Sequence, residues 1–288
     1  MGFISNIFGY LLNWLYELLN NYGLAIIIFS VILRIILIPI TVKQQRTMKK
    51  SAKMQEKVKE IQKKYKNNPE KLNQETIELY KKEKMSPFSG CLSSILQIVI
   101  ILAVFYLVRS PLTYMKKLDS DLIKEYVTEV EEETGKSAYS EIAVIQKKAA
   151  EDQRVYINMD FLGLDLSMVP NQNMKDYRVY IIPLLYVITS FISIRMTNKT
   201  QETKKKEKVK LIDDGKEEEK IVDEKDSQEE ALESMQEMSK SMSYMMPIMA
   251  ISIAFIAPLG LALYWLVSNV LMIVERIIIN KFMKEQED

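Results

Sequence analysis

The chain has 288 residues, 48% of them hydrophobic and 27% charged, with 39 Lys plus Arg against 38 Asp plus Glu and no histidine. The apolar and charged residues stand in separate long blocks, which describes a membrane protein with soluble appendages and not an ordinary globular domain. A single cysteine, Cys91, excludes a disulfide within the chain and leaves few ligands for zinc or copper. No GxxxxGKS/T, strand-borne GxGxxG or GxSxG sequence occurs, so neither ATP-driven work nor common hydrolase chemistry has support; no enzyme activity, cofactor or metal is expected.

In residues 1–22, Ile4, Ile7, Phe8, Leu11, Leu12, Leu15, Leu18 and Leu19 recur at the three-four spacing of one helical face. This predicts an amphipathic helix at the membrane interface, with Trp14, Tyr16 and Tyr22 as interfacial anchors. A cleaved signal peptide is the rival reading, but a basic n-region and a small-x-small cleavage site are both missing. Apolar runs at 23–42, 87–108, 177–196, 244–258 and 259–280 predict five membrane spans, the fourth of them short. Pro258 and Gly260 place a tight turn between the last two.

Between the first two spans, residues 43–86 carry fourteen basic and six acidic side chains. Met54, Val58, Ile61 and Tyr65 recur at helical spacing, and Leu72, Thr76, Leu79 and Met85 form a weaker second stripe. Asn68 is a predicted helix cap with Pro69 in the first helical position, so the segment reads as a charged helical hairpin. Residues 109–176 read as an extracytoplasmic, mostly helical segment ending in the irregular stretch FLGLDLSMVPNQN. Residues 197–243, dense in lysine and glutamate, read as a flexible cytoplasmic loop, and 281–288 as a cytoplasmic tail. Lysines and arginines follow the first, third and fifth spans, which by the positive-inside rule puts the N-terminus outside and the C-terminus in the cytoplasm.

Inside the spans, Arg34 interrupts the run AIIIFSVILRIILIPIT. A central arginine costs roughly 2.5 to 3.5 kcal/mol on insertion scales, and no acidic residue in a span stands at its depth. Water in a cavity is the expected solvent for it; bonding to helix carbonyls is the alternative. Ser94 and Gln97 in the second span (with Ser93), Thr189, Ser190 and Ser193 in the third, Ser252 in the fourth, and Ser268 and Asn269 in the fifth add polar positions. They suggest a wet cavity, against the alternative that such side chains merely bond their own backbone or let helices pack closely. The methionines of MQEMSKSMSYMMPIM suit a surface that accepts varied apolar partners, or ordinary lipid contact.

Three stretches together resemble the YidC/Oxa/Alb family of membrane protein insertases, most closely its five-span Gram-positive form: NYGLAIIIFSVILRIILIPITVKQQRTMKKSAKMQ, FSGCLSSILQIVI and MPIMAISIAFIAPLGLALYWLVSNVLMIVE. Ser93 stands where that family often has proline, and Ser86 precedes Pro87 where asparagine is usual. With no cysteine before Cys91, a lipoprotein-type anchor is not expected. The resemblance implies an all-α polytopic membrane protein, five transmembrane helices around a hydrophilic groove, in the bacterial cytoplasmic membrane. It implies Arg34 as the groove's arginine, with Gln97, Trp265, Ser94 and Ser193 as further groove residues. The stripe Met54, Val58, Ile61, Tyr65, Leu72 and Leu79 becomes a client-recruiting hairpin. Implied partners are nascent membrane proteins and the lipid bilayer, with a SecYEG-type translocon and the ribosome as further candidates; a monomer without nucleic-acid specificity is expected. The implied function is insertion of client helices without nucleotide hydrolysis. An assembly chaperone that does not itself insert, and a solute transporter, are the alternatives.

Overall fold

The computed structural model describes residues 2–65, 68–83, 89–212, 249 and 251–285. The chain forms two compact units, one made of Met1–Leu18 and Ile28–Tyr156, the other of Leu19–Ile27 and Ile157–Asp288. Among the described residues both are built almost wholly of helices, with one two-stranded β-hairpin.

In the first unit, α1 (Gly2–Leu19) is apolar around most of its circumference, so hydrophobicity alone does not choose which face is buried. Small residues choose it. A Cβ on Gly9 would lie 1.8 Å from the Tyr114 carbonyl oxygen, and one turn earlier the Ser5 hydroxyl donates to the Ala103 carbonyl at 3.0 Å. Ser5, Gly9, Leu12, Leu15 and Tyr16 are buried, while Phe3, Ile7, Tyr10, Trp14 and Leu18 form an exposed apolar stripe. This corrects the expected face, since Ile7 and Leu18 lie opposite Leu12. Two of the expected interfacial anchors are core residues instead: Tyr16 is 5% exposed and Tyr22 1%, and only Trp14 is exposed.

α2 (Tyr22–Lys64) runs unbroken from the first apolar segment into the charged hairpin, with Pro39 inside it. The helix passes residue 43 without a break, because lysine, glutamine, glutamate and methionine are good helix formers and nothing there stops a helix. The second arm is α3 (Pro69–Lys82), which begins as expected: the Asn68 side chain accepts from the Lys71 N–H at 3.0 Å, with Pro69 in the first turn. The arms lie antiparallel, joined by a Lys57–Glu83 ion pair and by the Tyr65 hydroxyl donating to Glu75 at 3.1 Å. The ammonium groups of Lys64 and Lys71 sit 5.3 and 5.7 Å from the Tyr65 ring centre.

α4 (Ser89–Arg109) leads through a π-helical turn, Leu112–Lys116, to α5 (Ser120–Thr134) and α6 (Ser140–Lys148). Asp119 caps α5 by accepting from the Asp121 and Leu122 N–H groups, and Gly135, at φ 82, ends it. Glu141 is buried at the start of α6, where its carboxylate accepts from the Thr113 N–H at 3.0 Å and hydroxyl at 2.6 Å.

The second unit holds a hairpin of β1 (Asp160–Phe161) and β2 (Leu164–Asp165), in the stretch expected to be irregular. Leu162 and Gly163 make its turn at φ 53 and 77, and Asp160 accepts from the Gly163 N–H at 3.0 Å. Both turn residues at positive φ match the twist of paired strands. A 3₁₀ turn, Tyr177–Tyr180, then opens α7 (Ile181–Ile212), and α8 covers Leu259–Glu285. α7 continues sixteen residues beyond 196, so the expected flexible loop cannot start at 197; its part from 213 to 243 lies outside the described residues. Among the described residues, three stretches are long and apolar enough to span a membrane: Tyr22–Thr47, Tyr177–Met196 and Leu259–Ile279. Ile98–Arg109 is a shorter apolar stretch of α4. Of the fourth expected span only 249 and 251–258 are described, with 251–256 helical. The methionine-rich run lies outside the described residues except for Met249, which is exposed.

Two outcomes are expected. Gly9→Ala should destabilise the first unit by about 1 to 3 kcal/mol, because the new methyl meets a backbone carbonyl and not a movable side chain; thermal unfolding in detergent checks this. Burial raises the Glu141 pKa above its ordinary value, against the lowering by its hydrogen bonds from Thr113. The folded state then holds its proton to higher pH than the unfolded chain, so stability falls as pH rises from the ordinary value of 4.5 through the raised one. Glu141→Gln should flatten that fall, read as unfolding midpoints against pH.

Candidate functional site

Arg34 lies on α2, twelve residues from Tyr22 and thirteen from Thr47, the ends of its apolar span. At 1.5 Å per residue it sits roughly 18 Å from one end and about 20 Å from the other. Ala25, Ile26, Phe29, Ser30 and Leu33 form the buried face of α2, while Ile28, Ile35 and Ile36 are exposed. Arg34, one turn after Ser30, stands at the edge of the buried face. The residue is half-buried, its Nε is inaccessible to solvent, and it is engaged with a neighbour.

The other expected groove residues divide. The side chains of Ser94 and Gln97 lie outside the described residues. Ser193 and Trp265, in the second unit, sit in the seam between α7 and α8. The Trp265 ring centre is 6.0 Å from that of Tyr186, the Asn269 amide donates to the hydroxyls of Thr189 at 3.2 Å and Ser190 at 3.1 Å, and Arg276 donates to the Ser193 carbonyl at 3.3 Å. These contacts ascend together along both chains, so the two helices run parallel. The polar stripe expected to line a wet cavity is in this part a helix-to-helix bond line, because a hydroxyl or amide facing a neighbouring helix finds a partner there that lipid does not supply. Thr189 also donates to the Leu185 carbonyl at 3.0 Å, the backbone bonding weighed as the alternative.

Sequence reasoning missed Glu275. It is buried on α8 within the span Leu259–Ile279, both carboxylate oxygens are inaccessible to solvent, and it is engaged with a neighbour. The signal was present in MIVERIII, where an acid interrupts an apolar run. In the hairpin stripe, Met54 is 4% exposed, and Val58, Ile61, Tyr65, Leu72 and Leu79 are half-buried. Their apolar surface is partly spent on the hairpin's own packing, whereas Ile77 of α3 is exposed. Among the described residues no group of three metal-ligating side chains occurs.

Long apolar helices carrying charge at mid-span define an all-α polytopic membrane protein. A family profile described as 60Kd inner membrane protein matches residues 14–287, and the chain belongs to that family. Among similar proteins, the membrane protein insertase YidC of Caldanaerobacter subterraneus is 41% identical over 110 residues, which cover 38% of this chain and 53% of that protein. The protein of the same name from Treponema denticola is 24% identical over 282 residues, 98% of this chain and 38% of the relative. That of Fusobacterium nucleatum is 38% identical over 114 residues, 38% and 56% of the two chains. The matched regions thus span about half the length of these relatives or less.

Asn269→Leu should lower stability by about 1 kcal/mol, since interhelical bonds of this kind average about 0.6 kcal/mol each and two are removed. Thermal unfolding in detergent checks the value; an unchanged midpoint would remove the bond line from the forces joining α7 and α8.

Proposed function

We propose that this protein inserts client helices into the bacterial cytoplasmic membrane, and that Arg34 is the charge its clients meet. The observation that carries the proposal is the mid-span, half-buried arginine on a helix within residues 14–287, the stretch matched to a family whose similar members are named as insertases. The difficulty is to move a short hydrophilic segment across hydrocarbon. A water-filled groove reaching Arg34 from the cytoplasm shortens the dry distance, and the guanidinium attracts acidic groups of the segment to be translocated. The client's apolar helix then leaves sideways into lipid, where its burial supplies the driving force. An inside-negative potential adds about 2.3 kcal/mol per acidic charge per 100 mV. No nucleotide is required.

Ser94, Gln97, Ser193 and Trp265 are proposed as further client contacts, the last two beside the seam of α7 and α8. The hairpin of α2 and α3 receives clients on its basic surface and on the stripe Met54, Val58, Ile61, Tyr65, Leu72 and Leu79, to which the exposed Ile77 adds apolar surface. Its net charge also suits the anionic inner leaflet, in keeping with a cytoplasmic hairpin, an external N-terminus and a cytoplasmic C-terminus. A monomer acting alone or beside a SecYEG-type translocon and the ribosome completes the proposal.

Arg34→Ala should reduce insertion of clients with acidic translocated tails by about tenfold, while Arg34→Lys retains most of it. A unit charge pair at 4 Å is worth about 1 to 4 kcal/mol between the dielectric of water and that of a protein surface, and lysine keeps the charge. Insertion into vesicles of purified protein and lipid measures both. Equal losses in the two variants would refute attraction by charge, and insertion only with a translocon added would favour an assembly chaperone.

A further inference from the structure

We propose that the tip of the β1–β2 hairpin, with Leu162 at its apex, is seated in the interfacial layer of the lipid bilayer on the side where the apolar spans begin. Leu162 is 89% exposed, the most exposed large apolar side chain described, and it holds φ 53, a conformation that costs a leucine and suits glycine or asparagine. A strained backbone that displays an apolar side chain to water is disfavoured twice over. Both penalties are explained if the side chain has another medium.

The hairpin's attachments say which medium. Asn21, immediately before the span Tyr22–Thr47, donates to the Asp160 carbonyl at 2.7 Å, and the Tyr22 N–H donates to the Asn158 carbonyl at 3.0 Å. Phe161 covers Gly23, where a Cβ would lie 2.5 Å from its ring. On the other side of the turn, Arg178, the second residue of the span Tyr177–Met196, donates to the Gly163 carbonyl at 3.4 Å. The Leu259 and Gly260 N–H groups, which open the span Leu259–Ile279, donate to Met168 and Leu166 just beyond β2. The turn is therefore fixed to the first residues of three spans, at the level where hydrocarbon gives way to headgroups. Tyr177, 79% exposed, and Met174, 71% exposed in the turn that leads to it, add an aromatic and an apolar side chain at that level. Lys175 is exposed between them, and Arg178 is held by Asp176 at 2.8 Å. An apolar apex with a tyrosine and cations at the rim matches the headgroup boundary, where amphipathic rings and lysines concentrate.

The test uses the full chain in vesicles of purified phospholipid, with Cys91→Ser so that one introduced cysteine carries an environment-sensitive fluorophore. Leu162→Cys is compared with Lys136→Cys, an exposed position between α5 and α6. The proposal expects emission at 162 to be blue-shifted and several-fold brighter than at 136, quenched by lipid spin-labelled near the headgroup and shielded from aqueous iodide. Emission alike at both positions, with equal iodide quenching, overturns it. Shielding seen only in native membranes, and absent in pure lipid, assigns the tip to a protein partner and also overturns it. Met174→Cys gives the same readout should the Leu162 variant fail to fold, as judged by its helical circular dichroism.

Discussion

The first N–H groups of a helix have no partner inside it, and each one buried without a bond costs about 1 to 3 kcal/mol. In the second unit this need is met by one short segment. Residues 158–168 offer carbonyls to the N–H groups of Tyr22, Leu259 and Gly260 and to the side chains of Asn21 and Arg178. Asn158 returns a bond to the Asn20 carbonyl at 2.8 Å, and Asn21 accepts from the Leu24 N–H at 3.0 Å. Helix starts that are far apart in sequence are thereby tied to a single turn of chain. Once the starts are tied, the parallel course of α7 and α8 follows, and with it the Tyr186–Trp265 and Asn269 contacts further along.

The first unit is governed by a different constraint, the closeness of backbones. Gly9 admits the Tyr114 carbonyl, and Ser5 reaches the Ala103 carbonyl, so α1 lies against the end of α4 and the π-helical turn. Lys116 and Lys117 then stand over the rings of Tyr16 and Tyr10, 5.1 and 3.1 Å from their centres. The large apolar residues of α1 fall on either side according to this contact and do not dictate it. The buried face of α2, apolar except for Ser30, carries the mid-span arginine on which the proposed function rests.

Much of the architecture was legible because it rests on local chemistry. Blocks of apolar residues about twenty long can only be helices in a membrane, so the all-α polytopic class followed from composition and pattern. Asn68 and Pro69 announced the start of α3 because a cap is a contact over three residues. Arg34 stood out as the one charge in its run. By contrast, the extent of α2 and α7 past the apolar blocks was not legible, since a charged sequence of good helix formers looks the same whether it continues a helix or begins a loop. Glu275 is visible in the sequence as an acid in the apolar run MIVERIII, but its burial is not, because burial depends on the neighbouring helices.

The sequence by itself determined the medium, the helical class, the hairpin's cap and the place of Arg34 along its apolar run, because each depends on residues a few positions apart or on the balance of a twenty-residue window. The tertiary structure alone decided which face of α1 is buried, that Tyr16 and Tyr22 belong to cores, that Thr189, Ser190 and Asn269 bond one helix to another, and that residues 158–168 gather three helix starts. Those outcomes depend on pairs separated by some eighty to a hundred and forty positions, such as Ser190 with Asn269 at 79 and Asn21 with Asp160 at 139. Side-chain periodicity carries no information about a partner that far away; only backbone proximity and the directions of hydrogen bonds settle it.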